Sequence, residues 1–171
     1  MALLLGPAGV AVPQGPPDCP CSAGPRPIQG MDDLVRMNRA ELESLFRSAP
    51  VGPTPSGFVP ARAIINPGSR LTVPASRVTR VLWQGKIFQD DGIMVNRVFG
   101  IRAIHARIYT GISWLDGQPA LVLDYYGTSR LFPNVHDEVR QVAPGLYLGL
   151  TYTRRDNNPE PAVFFALDAR R

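Results

Sequence analysis

The sequence predicts an all-β domain, a single antiparallel up-and-down β-barrel preceded by one short α-helix. Three observations carry this prediction. Short segments rich in Val, Ile, Leu and aromatic residues recur from Gly57 to Leu167, many of them alternating apolar with polar side chains. Gly, Pro, Asn and Asp stand between the segments. The connections are short, so neighbours in sequence should pair in the sheet, and closure would remove the exposed edges.

Taken in order, residues 1–30 are rich in Pro and Gly and lack periodicity, which predicts a disordered, uncleaved tail. The domain then spans residues 31–171. Residues 31–49 read as its one helix. Asn38 can cap it, Glu41 sits in the capping-box position, and Leu42, Leu45, Phe46 and Ala49 fall on one face. Pro50, Pro53 and Pro55 end it. So short a helix needs a partner, and a plug or lid at a barrel end is one way to supply it. Strands are expected at Phe58–Ile65, Arg77–Trp83, Lys86–Phe88, Ile93–Val98, Ile101–Thr110, Ala120–Tyr126, Val135–Val142, Leu146–Thr153 and Ala162–Asp168. Asp90-Asp91-Gly92, Asp116-Gly117, Pro144-Gly145 and the stretch Asp156 to Pro159 supply the turns.

Composition narrows the function classes. The chain has 171 residues, 44% of them hydrophobic and 19% charged, which suits one packed domain. The net charge is +4, but the arginines are scattered along the sequence in ones and twos, without the clustered basic and aromatic face that nucleic acid requires. Cys19 and Cys21 are the only cysteines, too few for a metal site, so neither metal nor cofactor is expected. Ala2–Val12 is apolar but lacks a basic flank and is too short to span a membrane. These readings place the protein in the cytoplasm.

The candidate site residues divide into two sets. Trp83 and Lys86 lie in Trp83-Gln-Gly-Lys-Ile-Phe88, where Trp83 can wall a barrel mouth, Lys86 can meet an acidic ligand group or stand as a solvated edge charge, and Gly85 can form a bulge. Trp114, Asp124, Tyr126 and Arg140 complete the ligand-binding set. Asp124 stands in an apolar strand and calls for a partner, with Arg140 and Arg102 as candidates. His136, Glu138 and Arg140 share one face of an extended segment, with Val135, Asp137 and Val139 on the other. A His beside a carboxylate can do acid–base work or form a surface ion pair of little worth. His105 alternates with Ile104, Ala106 and Ile108 and should point outward.

The pattern Trp83-x-Gly85-Lys86-x-Phe88, with Leu123-Asp-Tyr125, Asp137-Glu-Val-Arg140, Tyr147-Leu-Gly-Leu150 and Phe164-Phe-Ala-Leu167, resembles a bacterial family. Its uncharacterised members carry a G-x-W-x-G signature followed by a domain of unknown function. The signature itself would fall at Gly57-Phe-Val-Pro-Ala61, where Val replaces Trp and Ala the second Gly. The resemblance implies a lipocalin-like, calycin-type small barrel with no established activity.

The expected function is therefore non-catalytic binding of a small apolar or amphipathic molecule inside the barrel. A small isomerase or hydrolase using His136 or His105 with a carboxylate such as Glu138 is the alternative from another class. A filled barrel acting as an interaction module is the third.

Overall fold

In the computed structural model, which describes residues 27–155 and 158–170, eight antiparallel strands close into a barrel. They are β1 (Gly57–Ile64), β2 (Trp83–Phe88), β3 (Ile93–Val98), β4 (Ile101–Ile112), β5 (Pro119–Asp124), β6 (Val135–Ala143), β7 (Leu146–Arg155) and β8 (Asn158–Asp168). Each pairs with its sequence neighbour, and β1 closes on β8. The expected all-β, up-and-down architecture is thus present. The expectations about residues 1–26, including Cys19 and Cys21, lie outside the described residues.

The helical content departs from expectation in two places. Residues 31–49 form two helices, α1 (Met31–Arg36) and α2 (Arg39–Ser48), broken at Met37 and Asn38. The break follows from the cap. Asn38 takes extended dihedrals, accepts the Glu41 N–H at 3.0 Å and donates its own N–H to the Glu41 carboxylate at 2.8 Å. A third helix, α3 (Thr72–Leu82), occupies the segment expected as the strand Arg77–Trp83. Its β-branched residues favour a strand locally. The tertiary environment decides otherwise, because Thr72 and Ser76 bury on one face and Ser76 accepts a hydrogen bond from Arg62 of β1 at 3.1 Å. Pro74 is tolerated because it lies in the first turn.

Two apolar cores result. The inner one fills one half of the barrel and includes Phe88, Met94, Leu121, Leu123, Val139, Tyr147 and Leu167. The chain after α2 crosses that end. Pro50 accepts the Gln141 N–H, the Tyr147 hydroxyl donates to Pro53, and Val51 packs on the inner core. The outer core lies between α1 and α2 and the outward faces of β1, β7 and β8. Leu34, Leu42 and Phe46 meet Ile64, Leu148, Leu150 and Phe164 there. The α1–α2 pair therefore packs on the barrel wall and does not plug an end.

Gly85 forms the expected bulge, with a register shift between Trp83 and Gly85 and φ of +152°. A Cβ there would collide with the Val59 carbonyl. Among the described residues, no helix is long and apolar enough to cross a membrane.

Candidate functional site

Strand β6 makes the site because period-two geometry sends alternate side chains to opposite faces of the wall. Val135, Asp137 and Val139 point inward, whereas His136, Glu138 and Arg140 point outward. Each set gathers a different polar cluster.

The inner cluster is centred on Lys86, which is buried. Its ammonium donates to the Asp137 carboxylate at 2.8 Å, the Tyr125 hydroxyl at 2.8 Å and Asn96 Oδ1 at 3.2 Å. Tyr125 donates in turn to Asp137 at 2.9 Å, and Thr151 donates to the other carboxylate oxygen at 2.7 Å. Trp83 Nε1–H donates to Asn96 Oδ1 at 2.9 Å, while the Asn96 amide donates to the Ile104 carbonyl and the Tyr125 hydroxyl. The Lys86 ammonium also sits 5.1–5.5 Å from the ring centroids of Trp83, Tyr125 and Phe165. Burial pulls the Lys86 pKa down, partly offset by Asp137. Burial and the neighbouring Asp137 charge both push Tyr125 up.

This cluster forms one side of a cavity of about 360 Å³ at the end of the barrel away from the Pro50–Pro53 crossing, where the inner core ends in Tyr125 and Phe165. The rest of the lining is apolar, with Ala63, Trp83, Val98, Ile104, Phe132 and Phe165 among it. Phe165 lies across its partner Gly149, where any Cβ would collide with the ring, and meets Trp83 edge-on at 5.7 Å. Glycine at 149 therefore leaves room for an aromatic wall.

The outer cluster is sealed. The β4–β5 turn folds over β6 so that Glu138 accepts the Trp114 N–H at 2.6 Å and the Ser113 hydroxyl. The Trp114 ring stacks on His136 at 3.8 Å. His136 Nε2 lies 3.4 Å from Glu138 but is not aligned for a hydrogen bond. Arg140 grips Asp116 through two 2.7 Å hydrogen bonds and donates to the carbonyls of Phe46, Gln118 and Pro119. Arg140 thereby holds the Asp116 carboxyl below its ordinary range.

Of the residues singled out in the sequence, the structure brings Trp83 and Lys86 together at the cavity. Trp114, His136, Glu138 and Arg140 form the outer cluster and face away from it. Asp124 pairs with Arg154 at 3.0 Å, not with the expected Arg140 or Arg102, because β7 brings Arg154 alongside. Burial opposes ionisation of Asp124, but Arg154 and the Tyr126 N–H outweigh it and hold its pKa below the usual value. Tyr126 is exposed, and His105 is exposed on the outer face of β4. Sequence reasoning missed Asn96, Tyr125, Asp137, Thr151 and Phe165. Asn96 and Asp137 carried a local signal, a polar side chain between apolar residues on one face of a strand, whereas Tyr125 lies one residue beyond β5 and carried none.

No protein-family model and no curated protein matches the sequence. A crystal structure of a protein from Thermomonospora curvata is similar, with 17% identity and a TM-score of 0.50, over 80% of this chain and 90% of that one. At that identity the likeness shows the fold alone.

Proposed function

We propose that the protein is a lipocalin-like carrier that binds a small, largely apolar and uncharged molecule in the cavity at the open end of its barrel. One observation carries this reading. The apolar cavity has a single polar corner, and the charges in that corner already neutralise each other through Lys86 and Asp137. An anionic ligand would meet no uncompensated cation, and burying its charge would be unfavourable. A hydroxyl or carbonyl could instead share hydrogen bonds with Tyr125 or Asn96 while its apolar body lies against Trp83 and Phe165. The resemblance to the G-x-W-x-G family agrees with this reading through its Trp-x-Gly-Lys-x-Phe string, which supplies Trp83 and Lys86.

The test titrates a long-chain alcohol and the fatty acid of equal length against tryptophan fluorescence. The alcohol should quench saturably with micromolar affinity, about −8 kcal/mol, and Trp83→Phe should remove most of the quench. Equal or tighter binding of the acid would refute the neutral-ligand reading. Failure of both probes, together with a mass of the bare chain in native mass spectrometry, would refute ligand binding.

A further inference from the structure

The fold gathers what the sequence scatters. Three segments lie near the cavity mouth, namely residues 70–82, whose α3 packs along the outer face of β1 and ends beside the mouth, the β3–β4 turn at 97–102, and the β5–β6 loop at 126–134. Trp83, Val98 and Phe132 at their margins line the cavity, and the Phe99 N–H donates to the Leu82 carbonyl at 2.9 Å. Large apolar side chains on these segments stand in solvent. Leu71, Val78 and Val81 lie on the face of α3 opposite Thr72 and Ser76, Leu82 ends that helix, and Phe99 and Leu131 tip the other two segments. Their exposures run from 43% at Leu82 to 76% at Leu131, which is unusual for so many apolar residues around one opening.

The same three segments hold Arg70, Arg77, Arg80, Arg97, Arg102 and Arg130, and no Asp or Glu. They thus carry six of the eighteen basic residues of the chain and none of the fourteen acidic ones. None of the six makes an ion pair among the described residues. Of the described acids near these segments, Asp137 is held by Lys86, Asp124 by Arg154 and Asp32 by Arg62, Asp32, Asp33 and Asp168 line a pocket with Arg80, and Glu160 stands on β8, while the Arg97 guanidinium lies over the Phe58 ring.

We propose that this rim docks on an anionic lipid bilayer, placing the cavity mouth against the membrane. Exposed aliphatic and aromatic side chains enter the boundary between headgroups and acyl chains, and the arginines pair with lipid phosphates. Charge complementarity selects this occupant over a second copy of the chain, because two such rims would bring six arginines against six. The proposal rests on the surface alone and stands whether or not the cavity holds a ligand.

The test is co-sedimentation of the full chain with vesicles of phosphatidylcholine alone and of phosphatidylcholine mixed with phosphatidylglycerol. Binding is expected on the mixed vesicles, with partitioning at least about tenfold weaker on the neutral ones and in high salt. Two variants separate the components, Arg77→Glu/Arg130→Glu for charge and Val81→Asp/Phe99→Asp for insertion. Each should weaken partitioning about tenfold or more. Alcohol-probe quenching of tryptophan fluorescence in the same variants reports on the cavity separately. The proposal is overturned by equal binding to both vesicles, by variants that bind like the parent, or by no vesicle binding. Sedimentation velocity run alongside identifies one such failure, a dimer lost in Val81→Asp/Phe99→Asp.

Discussion

Two polar clusters share one strand and have opposite fates. Asp137 and its inward partners stand beside an open cavity, whereas His136, Glu138 and Arg140, its immediate neighbours on β6, are sealed beneath Trp114, Asp116 and α2. Both clusters are buried and dense in hydrogen bonds. What separates them is the neighbouring space. Outside, a turn and a helix cover every group, so the polar atoms serve to fix the turn on the wall. Inside, apolar side chains pack one end of the barrel, and at the other end they line a cavity. Chemical character alone therefore does not mark the binding site, since the sealed cluster contains the histidine and carboxylate that look more reactive.

The strongest way to break this contrast is to uncouple the inner pair. Lys86→Met leaves Asp137 buried without its cation and should destabilise the protein by about 3–5 kcal/mol in chemical denaturation, while Lys86→Met/Asp137→Leu should recover most of that loss. A single variant no weaker than the double would mean that water reaches the pair. In the outer cluster, Arg140→Ala should destabilise by about 3 kcal/mol, because it strands Asp116 and three backbone carbonyls. Yet it should leave probe quenching in the cavity unchanged, a result that would separate structural from binding polarity.

A smaller effect concerns acid. Arg140 depresses the Asp116 pKa, so the ionised form stabilises the fold above the ordinary carboxylate range, and that stability is lost as pH falls through the depressed value. Asp116→Asn should therefore lower the melting temperature at neutral pH and make little difference at strongly acid pH. The smallest effect is expected at Asp124, whose bond to Arg154 is partly exposed. Asp124→Ala should shift stability by no more than about 1 kcal/mol. A larger loss would place Asp124 in a tighter network than its ion pair shows.

Much of the barrel was legible because its signals are local. Alternation marked most of the strands, the Asp-Gly and Pro-Gly pairs marked hairpins, and Asn38 with Glu41 marked a helix start that also breaks the helical run. Period two divided the β6 side chains between two faces but did not say which face turns inward, and Arg140, expected in the binding set, points outward. Helix α3 was not legible in this way. Thr72, Val73, Val78, Thr79 and Val81 favour extended backbone one by one, and the helix is fixed by how Ser76 meets Arg62 across the wall. Pro74 was the local clue, since a proline fits a first helical turn better than a central strand. The inner cluster was legible only in part. Lys86 stood out, but its pairing with Asp137 depends on which strands face each other across the closed barrel, and no local pattern encodes that. The partner of Asp124 failed for the same reason.

The seam between β1 and β8 has a kinetic consequence. Seven ladders join strands adjacent in sequence and can form as hairpins, with α3 spliced into the first. The eighth pairs Ala61–Ile64 with Phe164–Leu167, at opposite ends of the described domain. Its loop-closure entropy is the largest of the eight and is recovered only when the ring is complete. Folding should therefore be limited by this last join, and weakening Phe164 or Phe165 should slow folding more than a comparable change in the β2–β3 hairpin. A circular permutant opened at the β7–β8 turn, with the original termini linked, would move the seam to the longer β7–β8 ladder and should fold more slowly, as stopped-flow fluorescence would report.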